Sequence, residues 1–369
     1  MLGGVYIHIP FCASKCPYCD FYSFCADDNA KNDYVDALID EIITGRRTRE
    51  YTRGFTADTL YIGGGTPSVL KGEQLYRIIK TAKEKYKIPD GSEITVECNP
   101  ASDIEEIAPF FKKAGVNRVS LGMQSAVDKE RKTLGRKSDK ERIKNVINIL
   151  NENGIDNISL DVMMGVPFQT KDSLKETLEF AVSSGAKHIS SYILKLEEGT
   201  FFYKNKEKYN FPDDDEVCEL YEFCSDFLKK NSFLHYEISN FALPGFESKH
   251  NKKYWLLDEY LGIGASSHSF VNGKRFYYDR SADDFINGGK PVFDGDGGSC
   301  EEYIMLRLRL KDGFSLSELK KLYGKNSADS IIKKAPFLKE QGLVLFDGEN
   351  ISLTEKGYLL SNSVIAEFI

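Results

Sequence analysis

V-Y-I-H-I-P-F-C-A-S-K-C-P-Y-C-D-F, Val5 to Phe21, joins a short branched and aromatic run to a loop with three cysteines within eight residues. The run reads as a buried strand, and Pro10, which has no N–H to give a ladder, ends it. Thiolates are soft ligands suited to iron and zinc, and three then two intervening residues let one tight loop turn Cys12, Cys16 and Cys19 inward. The alternative is a closed zinc site completed by His8 or Cys25, but structural zinc sites usually add a second ligand pair further along, which this sequence lacks. Cys25, Cys98, Cys218, Cys224 and Cys300 are scattered and read as small buried hydrophobes.

Working outward, five further runs resemble the first: Thr59 to Ile62, Glu93 to Glu97, Arg118 to Leu121, Ile158 to Met163 and His188 to Ile193. Between them, Tyr34, Leu38 and Ile42, then Leu75, Ile78, Ile79 and Ala82, then Ile143, Val146, Ile147 and Leu150 recur at helical spacing. The order is β-α-β-α, which right-handed crossovers build into an open doubly wound sheet or a parallel barrel, complete or partial. Unusual residues gather at the predicted strand ends: Cys12 to Cys19, Gly63 to Pro67, Glu97 to Pro100, Gln124 with Ser125, and Asp161. Parallel α/β folds carry their chemistry on that edge.

The rest of the chain divides at about residues 235 and 300. Over 1–235 the β-α alternation holds, ending in a helix whose acidic start, F-P-D-D-D-E-V, suits the positive end of a helix dipole. Residues 236–300 are Gly-rich and aromatic, which predicts a loop-rich connection. From 301 the pattern becomes helix, helix, hairpin: the D-G-E-N turn at 347–350, with its apolar flanks, and the closing T-E-K-G-Y-L-L helix predict a small winged-helix-like unit.

Composition bounds the function. The chain has 369 residues, 41% hydrophobic content and a formal net charge of −7. Such a length buries a large core without disulfides, and the acidic balance argues against a nucleic-acid partner. No apolar run approaches the ~20 residues needed to cross a bilayer, and the N-terminus has no basic segment of a secretory signal. A cytoplasmic protein that does not span the membrane is expected.

C-x3-C-x2-C after a first strand, with Tyr18 before the last cysteine, resembles the signature of radical S-adenosylmethionine (SAM) enzymes. Y-I-G-G-G-T-P-S at 61–68 is similar to the glycine turn that contacts the methionine end of that cofactor. The resemblance implies a partial (β/α)6 barrel and a [4Fe-4S] cluster on Cys12, Cys16 and Cys19 with one iron left open. At matching positions it implies Tyr6 and Tyr18 flanking cluster and cofactor, Gly64, Gly65 and Thr66 at the methionine end, and polar contacts from Glu97, Gln124, Arg136 and Asp161. A zwitterionic, sugar-bearing cation needs carboxylates, amides and a bidentate Arg; the plain alternatives are a surface ion pair for Arg136 and a helix cap for Asp161.

Y-I-H-I-P-F-C, V-E-C-N-P, L-G-M-Q-S, L-D-V-M-M-G-V-P, H-Y-E-I-S-N-F-A, H-N-K-K-Y-W and Y-L-G-I-G extend the likeness over nearly the whole chain. Together they resemble the oxygen-independent coproporphyrinogen III oxidase group, which has a dehydrogenase branch and a heme chaperone branch. The dehydrogenases carry a further cysteine two residues past the triad, where this chain has Phe21. The likeness therefore implies a chaperone that binds heme and passes it to an acceptor hemoprotein at a membrane surface; a tetrapyrrole dehydrogenase is the alternative. Within H-N-K-K-Y-W, His250 is the implied heme contact, with Tyr254 and Trp255 to pack on the macrocycle. His268 in G-A-S-S-H-S either lies near the cofactor pocket or caps a turn. Ser138 stands where chaperone relatives usually carry His.

Overall fold

The computed structural model describes residues 2–369. Its first half is the expected alternation: β1 (Gly3–Ile9), α1 (Asp28–Thr44), β2 (Ala57–Gly64), α2 (Gly72–Tyr86), β3 (Glu93–Cys98), α3 (Ile104–Ala114), β4 (Arg118–Gln124), α4 (Asp128–Thr133), α5 (Lys140–Glu152), β5 (Asn157–Met164), α6 (Lys171–Ser183) and β6 (His188–Ile193). Each of the six predicted runs is a strand, and neighbours in sequence pair in parallel from β1 to β6.

Alternation along these strands decides the two faces. Val5, Ile7, Ile9, Leu60, Ile62, Ile94, Val96, Val119, Leu121, Ile158 and Leu160 are fully or almost fully buried in one cluster with the apolar stripes of the helices. Removing each such side chain from water stabilises the fold by roughly 1.5–3 kcal/mol. The intervening residues face the other way and are polar. Thr59, Tyr61, Glu93, Glu97, Arg118, Ser120, Ser159, Asp161 and His188 make this inner face a polar surface in place of a packed apolar core.

Residues 236–300 differ from the loop-rich expectation. After α7 (Phe201–Lys204) and α8 (Asp214–Lys230) come β7 (Leu234–Glu237), β8 (Asn240–Ala242), α9 (Lys249–Leu256), β9 (Tyr260–Ile263), β10 (His268–Val271), β11 (Lys274–Tyr277), α10 (Ala282–Ile286) and β12 (Val292–Asp296). The strands join both edges of the parallel set, giving one 12-stranded sheet in the order β12-β11-β10-β9-β1-β2-β3-β4-β5-β6-β8-β7. They are three to five residues long. Runs that short, broken by glycine, carry too little periodicity to stand out. One signal was legible: Asn272 and Gly273, at φ 51° and 71°, make the two-residue turn that joins β10 to β11.

The C-terminal unit contains α11 (Cys300–Arg307), β13 (Phe314–Ser315), α12 (Leu316–Tyr323), α13 (Asp329–Glu340), β14 (Val344–Phe346), β15 (Asn350–Leu353), α14 (Glu355–Leu359) and α15 (Ser361–Ala366). The predicted D-G-E-N hairpin joins β14 to β15, with the Asp347 carboxylate accepting from the backbone of Glu349 and Asn350. The whole is an α/β fold: an open parallel half-barrel widened by one further parallel strand, β9, and by antiparallel strands, followed by a winged-helix-like unit.

Candidate functional site

The cysteine loop leaves β1 at the C-terminal edge of the sheet and is held from three sides. The Cys12 amide donates to Phe24 O and the Phe24 amide to Pro10 O, both at 2.9 Å. The glycine turn after β2 binds it from below, Gly65 N to Ile9 O and Thr66 N to Phe11 O, each at 2.8 Å. On the far side Phe202 N donates to Pro17 O at 2.9 Å, and Tyr18 packs on a small core of Leu134, Met163, Val166 and Phe202. The glycines are required by space. A Cβ on Gly65 would meet Phe11 O at 2.7 Å, and one on Gly64, whose φ is +114°, would meet the His8 ring at 2.6 Å.

Cys12, Cys16 and Cys19 are free thiols, each partly exposed. Cys12 Sγ lies 3.3 Å from Thr66 Oγ1, and Cys16 Sγ lies 3.9 Å from Arg136 Nη1. Among the described residues no three His, Cys, Asp or Glu side chains are gathered to hold a single metal ion. A cubane takes one thiolate per iron and so suits thiols that stand apart around a loop. The fourth ligands considered for zinc are otherwise engaged: His8 bonds Tyr6 Oη at 3.0 Å and Tyr22 O at 3.1 Å, and Cys25 bonds Ala13 O at 3.4 Å. Cys25 is exposed, contrary to its reading as a buried hydrophobe; Cys98 and Cys224 are buried as expected.

The remaining predicted residues come together along β2 to β5. Glu97, near the end of β3, accepts from Tyr61 Oη at 2.8 Å and from Gly64 N at 3.1 Å. Burial nevertheless raises its pKa to about 7. Asp161 accepts from Ser120 Oγ at 3.0 Å, and burial lifts it to about 6. Asp161 lies within β5, not past its end and not at a helix cap, and it reaches the site because the inner face points there. Gln124 closes β4 at a bulge with φ 71°, and its Oε1 is buried without a partner. A strained, non-glycine residue with an unmatched amide oxygen is the mark of a side chain held for a ligand. Arg136 forms no ion pair among the described residues; it bonds Gly122 O and reaches Cys16. Tyr18 stands beside Cys16, its phenol pushed up by burial, whereas Tyr6 lies deeper, with His8 and Glu97 near it. The donor set therefore fits a cluster and a cationic, amino-acid-bearing cofactor: three thiols, a thiolate-side guanidinium, an open amide oxygen and two carboxyls that a cation would ionise.

His250 is not at this edge. It sits on α9 against the N-terminal ends of β1 and β2, fully buried, with Nδ1 bonded to Thr59 Oγ1 and Nε2 to Tyr254 Oη, both at 2.8 Å. Its amide and that of Lys249 donate to Glu93, each at 2.9 Å. Burial lowers its pKa to about 3. The expected heme contact therefore has both ring nitrogens occupied inside the protein, with Tyr254 as one of its partners. Trp255 lies under Arg309, 5.5 Å from its guanidinium carbon. The motif reads in sequence as an exposed loop because contiguous polar and aromatic residues hide their helical arrangement. Ser138 is buried, and its carbonyl accepts from Arg131.

Between β1, the cysteine loop and the β10–β11 hairpin opens a cavity of about 630 Å³. The buried His8 and Tyr278 line it together with the half-buried Tyr6, Tyr22, Glu97 and Tyr277 and the more open Phe21, His268 and Arg280. The hairpin side was missed in sequence because its strands were read as loop, although the Asn272-Gly273 turn was available to find it.

Residues 6–181 match the radical SAM superfamily and 300–360 the HemN C-terminal domain. The chain is 34% identical to a Bacillus subtilis protein named heme chaperone HemW, covering 100% of this chain and 99% of that one. It is 32% identical to the Lactococcus lactis protein of that name, over 100% and 97%. The Escherichia coli protein of that name is 30% identical over 99% and 98%. Among solved structures, E. coli coproporphyrinogen III oxidase (HemN), described as a radical SAM enzyme, superposes with a TM-score of 0.84 over 100% of this chain and 90% of that one, at 23% identity, which bears on the fold. No helix among the described residues is long and apolar enough to cross a membrane. The chain belongs to the radical SAM superfamily and, within its coproporphyrinogen III oxidase-like group, to the heme chaperone HemW family.

Proposed function

We propose that this protein is a heme chaperone: it holds a [4Fe-4S] cluster on Cys12, Cys16 and Cys19 with SAM beside it, takes up heme, and hands it to an acceptor hemoprotein at a membrane surface. The proposed setting is the cytoplasm. The observation that carries the reading is a cavity of about 630 Å³, large enough for a cofactor-sized ligand, lined by Phe21 and Tyr22 just past the cysteine triad and by Gly64 of the glycine turn. Full-length likeness to relatives named heme chaperone supports it.

A bound cluster supplies one-electron chemistry. The chain's own groups bind and position. Arg136 offsets thiolate charge at Cys16, and Gln124 Oε1 offers an acceptor to an ammonium or hydroxyl. Glu97 and Asp161, both raised by burial, lose protons when a cation is placed against them. The glycine turn lets a ligand approach the backbone of residues 63–66 closely.

The test is anaerobic reconstitution, assay of iron and sulfide, and titration with ferric heme. Uptake of heme by the cluster-loaded protein supports the reading. Absence of a Soret change, or conversion of coproporphyrinogen III to a decarboxylated product, replaces it with another.

A further inference from the structure

The chain has five histidines. Four spend both ring nitrogens inside the protein: His8 and His250 as described, His188 on Ser159 and Tyr236, both at 2.8 Å, and His235 on Ser225 and Ile238 O, both at 3.4 Å. The fifth, His268, forms no side-chain hydrogen bond among the described residues. It is exposed at the first position of β10, in the mouth of the cavity beside the cysteine loop.

Its surroundings suit a flat anionic macrocycle. The His268 ring lies over Tyr277, centroids 5.2 Å apart and planes 27° apart, which fixes the imidazole's orientation. Phe21, 68% exposed, presents an aromatic face at the same mouth. That exposed ring is free to pack against a flat ligand. Arg280 lies on the rim; its Nη2 bonds Asp20 O at 2.6 Å and lies 3.8 Å from Asp20 Oδ2, while its side chain stays 58% exposed and its other guanidinium donors can reach a carboxylate. Partial burial lowers the His268 pKa.

We infer that His268 is the axial ligand to heme iron, with heme seated in the mouth of the cavity, the Phe21 ring against the macrocycle and Arg280 pairing a propionate. This rests on the heme chaperone reading and deepens it by naming the site. It moves heme recognition from the H-N-K-K-Y-W helix, whose histidine is fully engaged, to the β10–β11 hairpin.

The test is a ferric heme titration of the cluster-loaded full chain and of His268→Ala, with cluster content and circular dichroism as checks on folding. Wild type is expected to give a Soret band of nitrogen-ligated heme. His268→Ala is expected to shift that band and weaken binding by about tenfold or more, and added free imidazole to restore the spectrum. Arg280→Ala should weaken binding and leave the band in place. A folded His268→Ala variant that matches wild type in band and affinity overturns the assignment and leaves the chaperone reading standing. Failure of wild type to bind heme overturns both.

Discussion

Tyr61 Oη donates to Glu97 Oε1 at 2.8 Å on the inner face of the half-barrel, a few ångströms from the turn that grips the cysteine loop. That bond favours the carboxylate, yet burial outweighs it and raises the Glu97 pKa to about 7. An unfolded chain ionises the same group near 4.5. Between these values the folded state holds a proton that the unfolded state has lost, so stability present at low pH declines as pH rises through 7. Relative to Glu97→Gln, wild type should lose stability from about pH 5 to about pH 8. Urea midpoints of both proteins at the two ends measure it; a constant difference contradicts a protonated Glu97.

His250→Ala should act on the fold. The change removes a fully buried ring and leaves Thr59 and Tyr254 without their partner, which should cost about 2–4 kcal/mol of unfolding free energy. Equilibrium denaturation reads it. If stability is unchanged while heme uptake by the folded protein is lost, His250 is a ligand and its place in the structure has been misjudged.

Gly65→Ala should separate the cysteine loop from the glycine turn. The added methyl meets a backbone oxygen, which cannot swing aside as a flexible side chain could. A loss of roughly 1–3 kcal/mol and a lower iron and sulfide content after reconstitution are expected. Full cluster content in the variant would show that the turn does not set the loop.

Gln124→Leu tests the unmatched amide. Its Oε1 has no partner to lose, so replacing it should leave stability unchanged or raise it, while SAM affinity falls by about tenfold. Equilibrium dialysis gives the affinity and thermal unfolding the stability. A destabilised variant with normal affinity would make Gln124 a structural residue.

Much of this was legible in the sequence. The six inner strands stood out because branched residues recur where helices cover them, and the cysteine and glycine turns could be placed because both follow such a strand directly. Asp161 was placed at a strand end, whereas it lies within β5 and faces the inner side of the sheet. The polar inner face was also written in the alternation, with Thr59, Glu93, Arg118, Ser159 and His188 each among apolar neighbours, but runs selected for their apolar content hide their polar members. The buried setting of His250 was not legible because sequence shows which groups a residue carries and not which partners already hold them. The hairpin that carries His268 escaped because four-residue strands with a glycine between them look like loop, although the Asn272-Gly273 pair marks the turn.

A protein that delivers heme from a site beside its cluster should transfer that heme to an acceptor in vitro. Cluster-loaded protein carrying ferric heme is mixed with the apo-form of a b-type cytochrome in lipid vesicles, and the Soret band is followed beside protein without the cluster. Heme is expected to pass to the cytochrome faster than it escapes to a scavenger in solution, and faster with the cluster than without it. Transfer no faster than simple dissociation, with or without the cluster, would contradict delivery from that site.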